Sequence, residues 1–116
     1  MMTRTNFLMQ NQNITMVKGD TLAFNVQIFD ENHDPITVDE AYMTCKEIPT
    51  NDTYIFQKSL ENGINQSEGM LTVRVAPGDT VDTSAGEYFY DFQIRVGQDV
   101  FTIMIGTLIL EQNVTF

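Results

Sequence analysis

The chain has 116 residues, 42% hydrophobic, 10% aromatic and 19% charged, the size and mixture of one globular domain with a single core. Six Lys or Arg against 16 Asp or Glu give a formal net charge of −10, so the average surface repels phosphate backbones and anionic headgroups, and neither nucleic acid nor a membrane is expected as a partner. The single cysteine, Cys45, cannot close an intrachain disulfide, so packing must hold the fold, as suits a reducing compartment.

Met1 to Gln10 hold one Arg and a brief apolar run, Phe7, Leu8 and Met9, far short of a signal-peptide core or a membrane span. With the Asn- and Gln-rich stretch Asn6 to Asn13 they read as an N-terminal arm or edge strand over residues 1–12, ahead of one domain over 13–116. A short strand is expected at Asn13 to Val17. From Asp20 to Phe29, Leu22, Phe24, Val26 and Ile28 alternate with polar residues, the period of two of a half-buried strand, with Phe29 out of phase. Ala41 to Glu47 places Ala41, Met43 and Cys45 inward; Thr53 to Lys58 and Met70 to Val75 follow, the latter with Leu71, Val73 and Val75 inward. Pro77 to Thr83 is the best site for a single helical turn. Glu87 to Val96 alternates Tyr88, Tyr90, Phe92, Ile94 and Val96 with polar residues, Phe89 being out of phase.

The last strand, Asp99 to Glu111, has Phe101, Ile103 and Ile105 on odd positions and Leu108 and Leu110 on even ones, with Gly106 at the changeover. That parity change predicts a β-bulge or bend at Gly106. Turn-forming clusters separate the strands, and no stretch of a dozen residues has helical apolar spacing, so the pattern suggests a β-sandwich or barrel.

Catalytic and metal-binding patterns are weak. Asp30, Asn32 and Asp34 have the spacing that opens a calcium loop, but Pro35 replaces the glycine and Ala41 the closing glutamate, so an acidic turn is the better reading. The chain's one His, His33, and its one Cys, on an apolar strand position, make a poor nucleophilic pair and cannot form a zinc site by themselves. The glycines are scattered among turns, with no phosphate-binding loop, so no metal and no cofactor is expected. Four Asn-x-Ser/Thr sequons, at Asn13, Asn51, Asn65 and Asn113, read as polar strand ends and turns. The outward aromatics Phe29, Tyr54 and Phe89, with the arm residues Phe7, Leu8 and Met9, are the candidate interface, against the alternative that other parts of the chain cover them.

Asp79-Thr80 followed by Gly86-Glu87-Tyr88-Phe89-Tyr90-Asp91 and the final strand resembles an immunoglobulin-like domain, with Tyr88 at the tyrosine-corner position and Tyr90 where the second cysteine would stand. The resemblance implies an all-β, immunoglobulin-like antiparallel β-sandwich of about seven to nine strands with no disulfide. Its core would be formed by Leu22, Phe24, Val26, Leu71, Val73, Tyr88, Tyr90, Phe92, Ile103 and Leu108. Val17-Lys18-Gly19-Asp20-Thr21, the turn from Asp30 through Pro35-Ile36, Gly86-x-Tyr88-x-Tyr90-Asp91 with Gln93, and Gly106 before Val114-Thr115 are together similar to the small immunoglobulin-like proteins of tailed phages and prophages. Some of those resemble the N-terminal module of baseplate upper proteins.

That similarity implies a non-enzymatic virion structural protein, in tail, baseplate, neck or head decoration, assembled in the bacterial host cytoplasm with other virion proteins and forming a homo-oligomer. A β-sandwich module binding carbohydrate or a host surface is the second reading, with Tyr42, Tyr54 and Phe89 as its aromatic platform in a chain that has no tryptophan. A small hydrolase ranks third, because no spaced pair of carboxylates singles itself out.

Overall fold

The computed structural model describes residues 10–114. Nine strands and one four-residue helix follow in order: β1 (Gln10–Asn11), β2 (Ile14–Val17), β3 (Leu22–Gln27), β4 (Glu40–Lys46), β5 (Phe56–Ser59), β6 (Ile64–Ser67), β7 (Met70–Val75), α1 (Pro77–Thr80), β8 (Gly86–Val96) and β9 (Asp99–Glu111). The larger sheet has the order β1-β9-β8-β4-β5, with β2 also on β9, and the smaller has the order β3-β7-β6. The two sheets share one core in a sandwich-like arrangement, with Cys45 free and buried in it.

Alternation works as the sequence predicts where a strand has one buried face. Ala41, Met43 and Cys45 of β4, Leu71, Val73 and Val75 of β7, and Tyr88, Tyr90, Phe92 and Ile94 of β8 all point into the core. Leu22, Phe24 and Val26 are corrected from buried core to half-buried: β3 is an edge strand, and one side of its apolar face lines an opening between the sheets. Two strands begin more than one residue later than expected, β3 at Leu22 and β5 at Phe56, while β6, with Ile64 as its sole apolar residue, gives no alternation to read.

The pairing is antiparallel except at the N-terminal edge, where β1 and β2 run parallel to β9. Both keep one register, Gln10 facing Met104 and Ile14 facing Leu108, and the interruption between them is a kink at Gln12 and Asn13. Gly106 lies opposite that kink, and a Cβ there would collide with the Gln12 carbonyl oxygen. The Asn13 side-chain carbonyl accepts from the Thr107 N–H at 3.1 Å, and the Tyr90 hydroxyl donates to the Gln12 carbonyl at 2.5 Å, so the kinked backbone keeps partners.

Gly106 therefore serves close approach, and the bulge lies elsewhere. Phe92 faces Met104 and Gln93 faces Thr102, which leaves Ile103 as the extra residue, while Tyr90 faces Gly106 in regular pairing. The parity change is real but falls three residues before Gly106. Ile103 and Met104 are both buried, and Ile105, expected inside, is on the outer face.

Side chains fasten the loops to the sheets. The Tyr88 hydroxyl donates to the Ser84 carbonyl at 2.6 Å, the geometry of a tyrosine corner. Gln66 clamps the segment before β4, its carbonyl accepting from the Val38 N–H at 2.6 Å and its amide donating to the Val38 carbonyl at 3.1 Å. Pro77 opens α1, and the Asp79 carboxylate accepts from the Ala76 N–H at 2.7 Å. The same carboxylate pairs with the buried Lys58 ammonium at 2.5 Å, tying β5 to α1. Strand order and tyrosine corner are compatible with the immunoglobulin-like arrangement that the resemblance implies.

Candidate functional site

Outward-facing residues of the larger sheet form rows across its strands. Lys46, Phe89 and Thr107 face one another across β4, β8 and β9, as do Thr44, Asp91 and Ile105 in the next row, and Tyr42 and Gln93 in the third. On this face is an open depression of about 490 Å³ lined by Thr44, Lys46, Tyr54, Gln57, Phe89 and Asp91, with Ile105 at its β9 side. Three large apolar or aromatic side chains stand in solvent there: Tyr54 is 54% exposed, Phe89 41% and Ile105 39%.

Tyr54 is held by the loop that carries it. It precedes β5 and lies outside the strand expected at Thr53 to Lys58. The Lys46 ammonium donates to the Asn51 carbonyl at 2.7 Å and the Ile55 N–H to the Cys45 carbonyl at 2.7 Å, so the chain is fastened to β4 on both sides of Tyr54. The polar side chains of the depression are tied across strands as well: Gln57 donates to the Thr44 hydroxyl at 3.0 Å and Gln93 to the Thr102 hydroxyl at 3.3 Å. Half-buried between Phe89 and Ile105, the Asp91 carboxyl has its pKa raised by desolvation, with the Lys46 ammonium pulling in the opposite direction.

Of the residues the sequence singled out, the structure brings Tyr54 and Phe89 together at this depression. Phe29 is elsewhere: it is 40% exposed and faces Pro35 across the turn after β3. Phe7, Leu8 and Met9 lie outside the described residues. Tyr42 is exposed on the same outer face, its hydroxyl donating to Glu40 at 3.1 Å. Sequence reasoning missed Ile105 and Asp91. Ile105 was hidden by the misplaced bulge, whereas Asp91 was legible as an outward residue two positions from Phe89 on the same strand face but gave no sign that Ile105 would flank it from β9.

The remaining candidates have ordinary structural surroundings. The Asp30 carboxylate accepts from the backbone N–H of Asn32 at 2.8 Å and of Asp34 at 3.0 Å, an Asx-type turn. His33 stands exposed in that turn with φ 64°, and Cys45 is buried in β4 with its thiol pKa pushed up to about 12 by burial. Among the described residues, no three His, Cys, Asp or Glu side chains form a group able to hold a metal ion, and no helix is long and apolar enough to cross a membrane.

No model of a known protein family matches the chain, and no curated protein sequence matches it.

Proposed function

We propose that this domain is a non-enzymatic assembly module that docks a protein partner on the outer face of its larger sheet. On the resemblance described above, we further propose that it is a virion structural protein of a tailed phage or prophage. The observation that carries the docking reading is the grouping of Tyr54, Phe89 and Ile105 around a partly desolvated carboxylate on a surface held by fixed strands. Exposed aromatics gathered on a rigid frame are the usual anchors of protein interfaces, and a carboxylate kept partly out of water gains most when a partner supplies a donor. The unreactive environment of Cys45 and the exposed turn position of His33 favour a binding role over catalysis.

The test is co-expression of the full chain with the products of its flanking genes, followed by size exclusion. A tail, baseplate or capsid product should co-elute with the native chain, and Phe89→Ser and Tyr54→Ser should each weaken that complex at least about tenfold while the circular dichroism spectrum is unchanged. Flanking genes for polysaccharide utilisation, or a complex indifferent to both changes, would overturn the reading.

Carbohydrate binding is the second reading, favoured by the same depression: Tyr54 and Phe89 offer ring faces beside the hydrogen-bonding groups of Thr44, Gln57 and Asp91. Binding of the native chain on a glycan array, lost in Tyr54→Ser, would replace the first reading with this one.

A further inference from the structure

We propose that the free edge of β3 accepts residues 1–9 of a second copy of this chain as an added antiparallel or parallel strand. The edges of the two sheets differ in how they are protected. β5 has four residues and turns the charged Lys58 inward, β6 has four residues and is followed by the positive-φ Glu68, and the β1-β2 edge is broken by the kink at Gln12 and Asn13. Each of these is a feature that discourages strand addition. β3 has none: it runs for six residues, Leu-Ala-Phe-Asn-Val-Gln, without charge or proline, and its single strand neighbour among the described residues is β7.

Its backbone is set for an addition. The Ile28 N–H donates to the Gly69 carbonyl at 2.6 Å on the β7 side, so by strand alternation the N–H and C=O groups of Ala23, Asn25 and Gln27 point to the open side. Beside that edge is a groove of about 680 Å³ between the sheets, lined by the half-buried Leu22, Phe24 and Val26, by Ile103 and Met104, and by Gln12 to Ile14.

The occupant follows from the nine residues that precede the described chain. Fully extended they reach about 30 Å, more than the roughly 20 Å of a six-residue strand. Phe7 and Met9 share one parity, so both can face a groove whose own apolar residues alternate in the same way. Charge does not oppose the match: Arg4 is the only charged residue among the nine, β3 and the groove lining carry none, and the rest of the chain, with five Lys or Arg against 16 Asp or Glu, attracts a basic segment at long range. Direction selects a second copy. The chain enters β1 travelling parallel to β9 from the Asp99 end, and the groove lies beside Gln12 to Ile14, past Gln10. A segment of the same chain would have to reverse at Gln10 to lie there, and a segment from a neighbouring copy does not.

This inference is independent of the outer-face reading, because the groove between the sheets and the depression on the outer face share no lining residue. Sedimentation of the full chain over a concentration series should show reversible association, with an apparent dissociation constant raised at least about tenfold by Phe7→Ser and by Ala23→Pro, which removes one edge N–H where an edge strand tolerates proline. A labelled peptide of residues 1–9 should bind the full chain and shift the backbone amide resonances of Ala23, Asn25 and Gln27. Phe7→Ser touches none of the described contacts, so it decides the matter if Ala23→Pro fails to fold. A monomer at every concentration, or association that responds to Phe89→Ser alone, would overturn the proposal and leave the docking reading standing.

Discussion

Lys58 and Thr80 are the buried polar residues of the described chain, and both meet the turn around α1. Thr80 accepts from the Gly19 N–H at 2.9 Å, linking that turn to the connection between β2 and β3. Lys58 has one carboxylate partner, Asp79, at 2.5 Å, with the two side chains 5% and 21% exposed. A buried ammonium is tolerable while it is paired and costly once it is not. Asp79→Ala should therefore lower the free energy of unfolding by about 3 to 5 kcal/mol, read from urea unfolding, and adding Lys58→Met should recover part of that loss by removing the stranded charge. Equal stability of the single and double variants would mean that water reaches the ammonium.

Asp91 makes a prediction of opposite sign. Its pKa is raised in the folded protein, chiefly by desolvation. Between the unfolded value, near 3.9, and the raised folded value, the folded state holds more protons, so stability from this group falls as pH rises through that window and the full penalty remains above it. Asp91→Asn should accordingly have the higher Tm at pH 7, and the gap should close by pH 3.5. The same change should weaken docking on the outer face, since the carboxylate is the group proposed to gain a donor there. A lower Tm for the Asn variant at pH 7 would show that contacts to the carboxylate outweigh its desolvation.

At the scale of elements, β9 is the strand on which most depends. It pairs with β8 along one side and with β1 and β2 along the other, and its bulge at Ile103 decides which side chains enter the core. Gly106 is irreplaceable for a different reason, because the Gln12 carbonyl occupies the space a Cβ would need. Gly106→Ala should push the kink outward, break the Tyr90 bond to Gln12 and cost about 2 to 4 kcal/mol, the sum of overpacking and one lost hydrogen bond. Gly78→Ala, in α1 with nothing within 4 Å of the new methyl, is the matched control and should be neutral or slightly stabilising. Thermal unfolding of the pair separates a steric effect from a general intolerance of glycine replacement.

For the molecule as a whole, what the sequence revealed depended on where each strand sits. β4, β7 and β8 each pair with a strand on both sides and bury one face, so their alternation is strong and the side chains fall where periodicity places them. In β9 the run Ile103-Met104-Ile105 is apolar on both parities, so nothing local says where the extra residue lies, and glycine drew the bulge to the wrong position. β1 is too short and β6 too polar to announce itself, and parallel pairing with β9 depends on a partner more than 90 residues away. The candidate site was legible in its aromatics, Tyr54 and Phe89. Its floor was not, because Asp91, Thr44 and Ile105 meet only through sheet register.

The parallel alignment of β1 and β2 with β9 also decides how the domain bears a mechanical load. Tension drawn between Gln10 and Glu111 pulls the first strands and the last lengthwise past each other, so the two facing pairs of β1 and the four of β2 are stressed together in shear. An antiparallel hairpin pulled from its open end instead opens one bond at a time. A domain strung by its two ends into a longer assembly thus resists extension through its weakest-looking edge, and the rate at which that edge gives way, more than the equilibrium stability of the core, sets how long it holds.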